Sequence, residues 1–135
     1  MNTRQKNWQG MNWARPSTRL AIYLRDGMAC AYCGATVESG ARLSLDHLIA
    51  HTHGGTNAPA NLVTACMRCN DSRGARPLQV FARAVAAYLD HGIEPRQILA
   101  HVRRCTKRDL AAFRAEAREL IARRGTVAKV LATKI

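Results

Sequence analysis

The stretch DHLIAHTHGGTNAPANLVTACMRCN, which runs from Asp46 to Asn70, decides how the rest of this chain is arranged. Two C-x-x-C pairs bracket it, one upstream and one inside its far end: Cys30, Cys33, Cys66 and Cys69. Zinc closes its structural sites with four ligands, and cysteine thiolates are common among them. The cysteine spacing therefore predicts a zinc site that holds the two ends of the segment together. The polar residues between the pairs are then available to build a second site.

Length and charge favour one small domain with a polyanionic partner. The chain has 135 residues, of which 47% are hydrophobic and only 5% aromatic. Much of the apolar content is alanine, which buries little area, so a bound metal would help to stabilise a thin core. The formal net charge of +12 attracts nucleic acid first and an anionic membrane surface second.

The sequence also predicts where the protein resides. No apolar run reaches about 18 residues, the length of a membrane-spanning helix, so we expect a soluble protein with no membrane partner. The N-terminal stretch MNTRQKNWQGMNWARPS lacks the apolar segment of a signal peptide, which predicts an intracellular, cytoplasmic location. In a reducing compartment the paired C-x-x-C motifs are read as metal ligands, with disulfides as the alternative. Cys105 has no such partner motif, and we expect it to be buried on a helix.

The N-terminal half reads as an arm, a helix, and a strand–loop–strand–helix unit. Residues 1–16 form a flexible basic arm whose tryptophans, Trp8 and Trp13, are expected to pack on the surface, with base stacking as the alternative. Ser17 is a candidate N-cap for a helix over residues 18–26. A strand is predicted over residues 41–47, a loop over 51–60, a second strand over 61–64 and a short helix over 66–73.

From Pro77 onward the sequence is rich in alanine and arginine and predicts three helices. The first begins at Pro77 and the second at Pro95, because proline suits the first helical position. Thr106-x-x-Asp109 resembles a capping box for the third, which ends at Gly125. The last ten residues are ambiguous. Each helix carries an apolar stripe that we expect to pack on the core: Phe81, Val85 and Tyr88; Ile98, Val102 and Cys105; Leu110, Phe113, Ala117 and Leu120.

Residues 30–76 resemble the HNH endonuclease module, the zinc-containing branch of the ββα-metal nucleases. The matching pieces, in order, are Cys30-x-x-Cys33-Gly34, Leu45-Asp46-His47, Gly54-Gly55-Thr56-Asn57, Asn61-Leu62 and Cys66-x-x-Cys69-Asn70-x-x-Arg73-Gly74. The chain departs from the family at Ala50, where many members have proline, and at His51 and His53. The resemblance implies an α+β fold: arm 1–16, a ββα-metal core with a structural zinc over 17–76, and a helical extension over 77–135.

The resemblance also implies roles for four polar residues. His47 would be the general base for phosphodiester hydrolysis, since an imidazole titrates near neutral pH. Asp46 and Asn70 would supply oxygen ligands to a catalytic Mg²⁺ or Mn²⁺, a hard cation of the kind that nuclease sites use. Asn61 would bridge the loop backbone and so hold the strand end that carries His47. Taken singly, Asp46-His47 is a common dipeptide, Asn61 a plain turn residue and Asn70 a candidate helix cap.

We expect DNA as the partner, with no small-molecule cofactor, and a homodimer is an option for double-strand cleavage. Two groups of arginines are candidates for phosphate contacts: Arg68, Arg73 and Arg76 in the core, and Arg104, Arg108 and Arg118 in the extension. Residues 77–135 carry 12 Lys and Arg against 5 Asp and Glu, although a solvated helical face would look the same. Two alternatives stay open: a non-catalytic zinc-containing nucleic-acid-binding module, and an RNA-cleaving toxin.

Overall fold

The computed structural model describes residues 13–133. In this range, helices surround one two-stranded antiparallel hairpin. The elements in chain order are α1 (Pro16–Arg25), β1 (Leu43–His47), β2 (Leu62–Cys66), α2 (Met67–Arg73), α3 (Leu78–Leu89), α4 (Pro95–Lys107), α5 (Ala111–Arg124) and α6 (Val127–Ala132). The order strand, loop, strand, helix, followed by further helices, agrees with the predicted α+β arrangement. No helix in residues 13–133 is long and apolar enough to cross a membrane.

Helix α1 begins two residues earlier than the capping argument predicts. Pro16 occupies its first turn, and Arg15 precedes it in extended backbone without a side-chain cap. The predicted N-cap at Ser17 is therefore wrong, because the fixed φ of proline already favours a helix start at this point. Gly27 follows the helix with φ +82° and redirects the chain. Of the predicted arm, residues 1–12 lie outside the described part of the chain.

The hairpin has two faces because successive side chains of a strand point in opposite directions. On one face, Leu43, Leu45 and Leu62 join a core with α1, α5 and α6. On the other face, Val63 and Ala65 join a second core with the cysteines, α3 and α4. The strands pair from Leu43 opposite Cys66 to His47 opposite Leu62. The C-terminal helices thus cover both sides of the hairpin and complete its cores.

Helix α4 begins at Pro95 and shows an amphipathic pattern, both as predicted, but it ends later than predicted. Its apolar stripe, Ile98, Val102 and Cys105, is buried as expected. The capping box at Thr106 and Asp109 is wrong, because α4 continues through Thr106 to Lys107. A capping box instead starts α4, where the Gln97 side chain accepts a hydrogen bond of 2.7 Å from the Glu94 backbone N–H.

The remaining differences concern the first and last C-terminal helices. Pro77 precedes α3 as its N-cap rather than beginning it. Tyr88, the last residue of the predicted apolar stripe of α3, is 60% exposed. The ambiguous end of the chain contains α6, which buries Val127 and Val130 in the core that α1 shares with the hairpin.

A buried ion pair fixes α1 to the hairpin. The Arg25 and Asp26 side chains are both fully buried, with Arg25 Nε 2.7 Å from Asp26 Oδ1. Arg25 also donates to the carbonyl oxygens of Pro59, at 3.0 Å, and Leu62, at 2.7 Å. Asp26 accepts a hydrogen bond of 2.8 Å from the Thr64 backbone N–H. These contacts position both β2 and the turn before it, because buried charges persist only when they are paired and hydrogen-bonded.

Candidate active site

The four predicted cysteines meet in one place. Their sulfur atoms all lie within 4.8 Å of one another, and Cys33 Sγ is 3.8 Å from Cys66 Sγ. A tetrahedral zinc with bonds of about 2.3 Å to sulfur needs sulfur–sulfur spacings of roughly 3.8 Å. All of these cysteines are free thiols, which is contrary to the disulfide alternative. The cluster is therefore positioned for a zinc site, as the spacing predicts.

Hydrogen bonds within the cluster lower the pKa of two of its four thiols. Cys66 is the N-cap of α2, and its sulfur accepts a hydrogen bond of 3.4 Å from the Cys69 backbone N–H. Hydrogen bonds from neighbouring thiols, that of Cys30 first, lower the pKa of Cys33 to about 2 and that of Cys66 to about 6. Metal ions bind thiolates rather than thiols. The same hydrogen bonds raise the pKa of Cys30, so Cys33 and Cys66 ionise before it.

Two side chains near the cysteine cluster, Arg73 and Tyr32, donate hydrogen bonds to the carboxylate of Asp46. Its Oδ2 accepts a hydrogen bond of 2.6 Å from Arg73 Nη1, and the two side chains are only 7% and 3% exposed. Tyr32, which lies between Cys30 and Cys33, donates its hydroxyl to the same oxygen. Burial, followed by the negative charge of Asp46, raises the pKa of Tyr32 well above its ordinary value, so the phenol keeps its proton. Within residues 13–133, Asp46 Oδ1 accepts no hydrogen bond.

Asn70 is likewise fixed through only one of its two polar side-chain atoms. It lies on α2, and its Nδ2 donates to Ser44 Oγ at 2.8 Å and to the Leu45 carbonyl oxygen at 3.0 Å. Its Oδ1 has no hydrogen-bond partner among the described residues. Because Ser44 and Asp46 share one face of β1, Asn70 and Asp46 both lie between the hairpin and α2. Two fixed side chains thus each keep one oxygen available, which fits a hard divalent cation.

His47 leaves β1 on the opposite face from Asp46, because the two residues are adjacent in a strand. Its ring is 4.8 Å from the Trp13 ring, centroid to centroid, at an interplanar angle of 40°. Its Nε2 lies 2.7 Å from Asn57 Oδ1 in the loop between the strands. The candidate base and the candidate cation ligands therefore lie on two sides of the same strand end.

Asn61 connects both ends of this loop. Its Oδ1 accepts a hydrogen bond of 2.9 Å from the Ile49 backbone N–H, and its Nδ2 donates to the carbonyl oxygens of Ile49, at 3.1 Å, and Thr56, at 2.8 Å. Gly55 packs closely against this contact: a methyl group there would overlap the Ile49 carbonyl and lie 2.9 Å from Asn61 Nδ2. One amide group thus holds the loop closed beside His47.

Residues 30–76 match the family model described as HNH endonuclease. These residues form an HNH endonuclease domain. The chain is 37% identical over 60 residues to the CRISPR-associated endonuclease Cas9 of Corynebacterium diphtheriae. It is 40% identical over 66 residues to the CRISPR-associated endonuclease Cas9 of Actinomyces naeslundii. These matches cover 44% and 48% of this chain but only 5% and 6% of the two relatives. No solved structure matches the chain.

The arginines of the HNH domain differ in exposure. Arg73 is buried, and besides Asp46 its guanidinium donates to the carbonyl oxygens of His47, at 2.8 Å, and Leu48, at 2.7 Å. The prediction that Arg73 contacts phosphate does not hold, because its guanidinium is buried and faces the protein interior. Arg68 is exposed, and its Cζ lies 4.8 Å from the centre of the Tyr88 ring. Arg76 is also exposed, with its Cζ 5.3 Å from the Phe81 ring centre.

The three arginines predicted to contact phosphate from the C-terminal part of the chain are exposed as well. Arg104 lies on α4 and Arg118 on α5. Arg108 follows α4, and its Nη1 donates a hydrogen bond of 2.8 Å to the carbonyl oxygen of Arg25, at the end of α1. Arg108 therefore has a packing role that the sequence did not indicate.

Sequence reasoning missed two groups that contact the core residues of the site. Tyr32 was read only as a spacer within the first C-x-x-C pair, and Asn57 only as a loop residue. The available signal for Asn57 was its place in the Gly-Gly-Thr-Asn stretch that faces the end of β1. Tyr32 offered no comparable signal, because its partners Asp46 and Arg73 are 14 and 41 positions away.

Proposed function

We propose that this protein is a metal-dependent endonuclease that hydrolyses phosphodiester bonds in DNA. The proposal rests on Asp46 and Asn70, two side chains between β1 and α2 that are each fixed through one polar atom and keep the other available. Asp46 Oδ2 and Asn70 Nδ2 are fixed by neighbours, and each residue keeps one oxygen, its Oδ1, without a partner in the described part of the chain. Such a pair suits a cation that keeps several waters and takes few protein ligands.

Each metal has its own set of residues in this proposal. Cys30, Cys33, Cys66 and Cys69 would hold a structural Zn²⁺, since an all-sulfur set closes the coordination sphere. Asp46 Oδ1 and Asn70 Oδ1 would hold a catalytic Mg²⁺ or Mn²⁺. When bound, a divalent cation polarises the scissile phosphate and stabilises negative charge on the leaving 3′ oxygen.

The side chains of the chain itself would activate the water and hold the site in shape. The neutral imidazole of His47 accepts the proton of the attacking water, because a base that titrates near working pH is effective in this role. Asn61 keeps the loop beside His47 closed through its contacts with Ile49 and Thr56. Arg73 orients Asp46 through the ion pair between them, and its contact with the carbonyl oxygen of His47 fixes the strand end.

DNA is the proposed substrate because the charge of the chain is strongly positive and its exposed arginines lie near the site. Arg68 follows Cys66 and Arg76 follows Asn70 closely in sequence, and each guanidinium is stacked over an aromatic ring of α3. A stacked guanidinium loses less conformational freedom when it contacts a phosphate. Arg104 and Arg118 would add phosphate contacts from the C-terminal helices. One site of this kind cuts one strand, so nicking is the expected first product, and a homodimer or a second encounter would complete a double-strand break.

One observation favours the rival, a non-catalytic nucleic-acid-binding module. The Asp46–Arg73 ion pair offsets the negative charge that a cation would need. A plasmid-nicking assay with Mg²⁺ or Mn²⁺ separates the two functions. The parent protein should nick the plasmid, and His47→Ala should keep its zinc and its DNA affinity while losing about 10²–10⁴-fold in rate. Cleavage by neither metal, with DNA binding intact, would favour the rival. Equal competition by RNA in the same assay would favour an RNA-cleaving toxin.

A further inference from the structure

We propose that Asn57 is a positioning residue for His47, which fixes the tautomer and the direction of the imidazole. This inference rests on the proposed role of His47 as the base. It starts from one contact: Asn57 Oδ1 lies 2.7 Å from His47 Nε2. A neutral imidazole has one nitrogen that donates a hydrogen bond and one that accepts. An amide oxygen only accepts, so Nε2 carries the proton and Nδ1 keeps the lone pair that can take a proton from water.

The rest of the loop fixes Asn57 at this distance. Asn61 Nδ2 donates a hydrogen bond of 2.8 Å to the carbonyl oxygen of Thr56, the residue before Asn57. The same amide group holds Ile49, two residues after His47, through both its backbone N–H and its carbonyl. Asn61 therefore joins the two chain segments that carry His47 and Asn57, and a shift in either would change the distance between them.

Among residues 13–133, Asn57 is the polar side chain that sets the direction of the ring. On its flat side the ring contacts Trp13, an apolar surface that limits tilting but does not distinguish Nδ1 from Nε2. Within residues 13–133, no other side chain forms a hydrogen bond to the His47 ring. His51 and His53, the other histidines of this loop, are exposed. Without Asn57, the ring would be free to rotate and to exchange tautomers.

The expected effect is on the chemical step and not on DNA binding. Partners that orient a functional histidine through its second ring nitrogen are worth roughly 10–100-fold when they are removed. Asn57→Ala should therefore lower kcat by about this factor, with KM unchanged. Asn57→Asp should restore most of the rate, because a carboxylate oxygen accepts the same hydrogen bond. His53→Ala, an exposed change in the same loop, should cleave like the parent protein.

The test combines single-turnover cleavage with nitrogen NMR of the imidazoles, recorded well above the ordinary histidine pKa of about 6.5. The His47 signals are assigned by their loss in His47→Ala. The parent protein and Asn57→Asp should show the proton on Nε2, and Asn57→Ala should show a mixture of tautomers. A proton on Nδ1 in the parent protein, or an Asn57→Ala kcat equal to that of His53→Ala, would overturn the proposal. If the parent protein cleaves nothing, the proposed function fails, while the spectra still decide whether Asn57 fixes the tautomer.

Discussion

Replacing Gly55 by alanine should disable the loop beside His47, whereas the same change at the neighbouring Gly54 should be mild. An added methyl group at Gly55 would overlap the carbonyl of Ile49 and crowd Asn61 Nδ2. Both obstacles are fixed, since one is backbone and the other is the amide that closes the loop. An added methyl group at Gly54 would meet nothing within 4 Å. Gly54 therefore controls for the loss of a glycine without the collision.

The expected loss in the free energy of unfolding follows from the contacts that each substitution affects. To admit a methyl group at Gly55, the loop must move away from Ile49. That movement breaks the two hydrogen bonds between Ile49 and Asn61 and the one of 3.0 Å from Gly55 N–H to the Ala50 carbonyl oxygen. At about 1 kcal/mol for each bond, Gly55→Ala should cost about 3 kcal/mol. Gly54 has φ +87°, so Gly54→Ala should cost about 1 kcal/mol from the left-handed backbone alone.

Activity should separate the two variants more clearly than stability does. A displacement of about 1 Å in a catalytic group can cost about 10²-fold in rate, and the Gly55 collision displaces the segment next to His47. Plasmid nicking by Gly55→Ala should therefore fall by about that factor, while Gly54→Ala should stay near the parent rate. Urea unfolding gives the stability of both variants, and hydrogen exchange at the Ile49 amide reports whether the loop has opened. Equal nicking rates and equal Ile49 exchange in the two variants would refute the reasoning.

Three further predictions test other parts of the molecule. Cys66→Ser should lose bound zinc and unfold, since structural zinc contributes on the order of 10 kcal/mol to small domains; folded, zinc-free protein by metal analysis would contradict this. Arg25→Met should lower the free energy of unfolding in urea by about 3–5 kcal/mol, because it leaves the buried Asp26 carboxylate without its cation; an unchanged urea midpoint would show that the pair is dispensable. Exchanging Arg104 and Arg118 for glutamine should flatten the log–log salt dependence of DNA binding by about two units, whereas an unchanged slope would assign these helices to packing.

The sequence predicted the core of the fold well because its signals are local. Two C-x-x-C pairs determine which segments meet, and the alternating residues before His47 indicate a strand. Helix boundaries were less accurate. At the start of α1, Ser17 was a plausible cap, but Pro16 already begins the helix. At Thr106 the capping pattern was present, yet the buried stripe of α4 favours a helix that continues through it.

The contacts among the candidate site residues could not be predicted from the sequence. Arg73 looks like a surface charge in a sequence with many arginines. Its burial depends on Asp46, 27 positions away, and on carbonyl oxygens that only the folded hairpin brings together. The contact of Asn57 with His47 likewise depends on how a loop closes. Long-range pairing of this kind has no periodicity, so composition and spacing do not reveal it.

Different parts of the structure position the proposed cation ligands, Asp46 and Asn70, and the proposed base, His47. On the side of the proposed cation ligands, Tyr32 and α2 are fixed by the cysteine cluster, and they in turn hold Asp46 and carry Asn70. The position of His47, the proposed base, depends on the loop, where Asn61 supplies the closing contacts. A metal bound by the four thiols would thus organise the cation ligands directly, because Tyr32 lies between two of those thiols and α2 begins at a third. The orientation of His47 would depend on the loop instead, and so would the proposed role of Asn57.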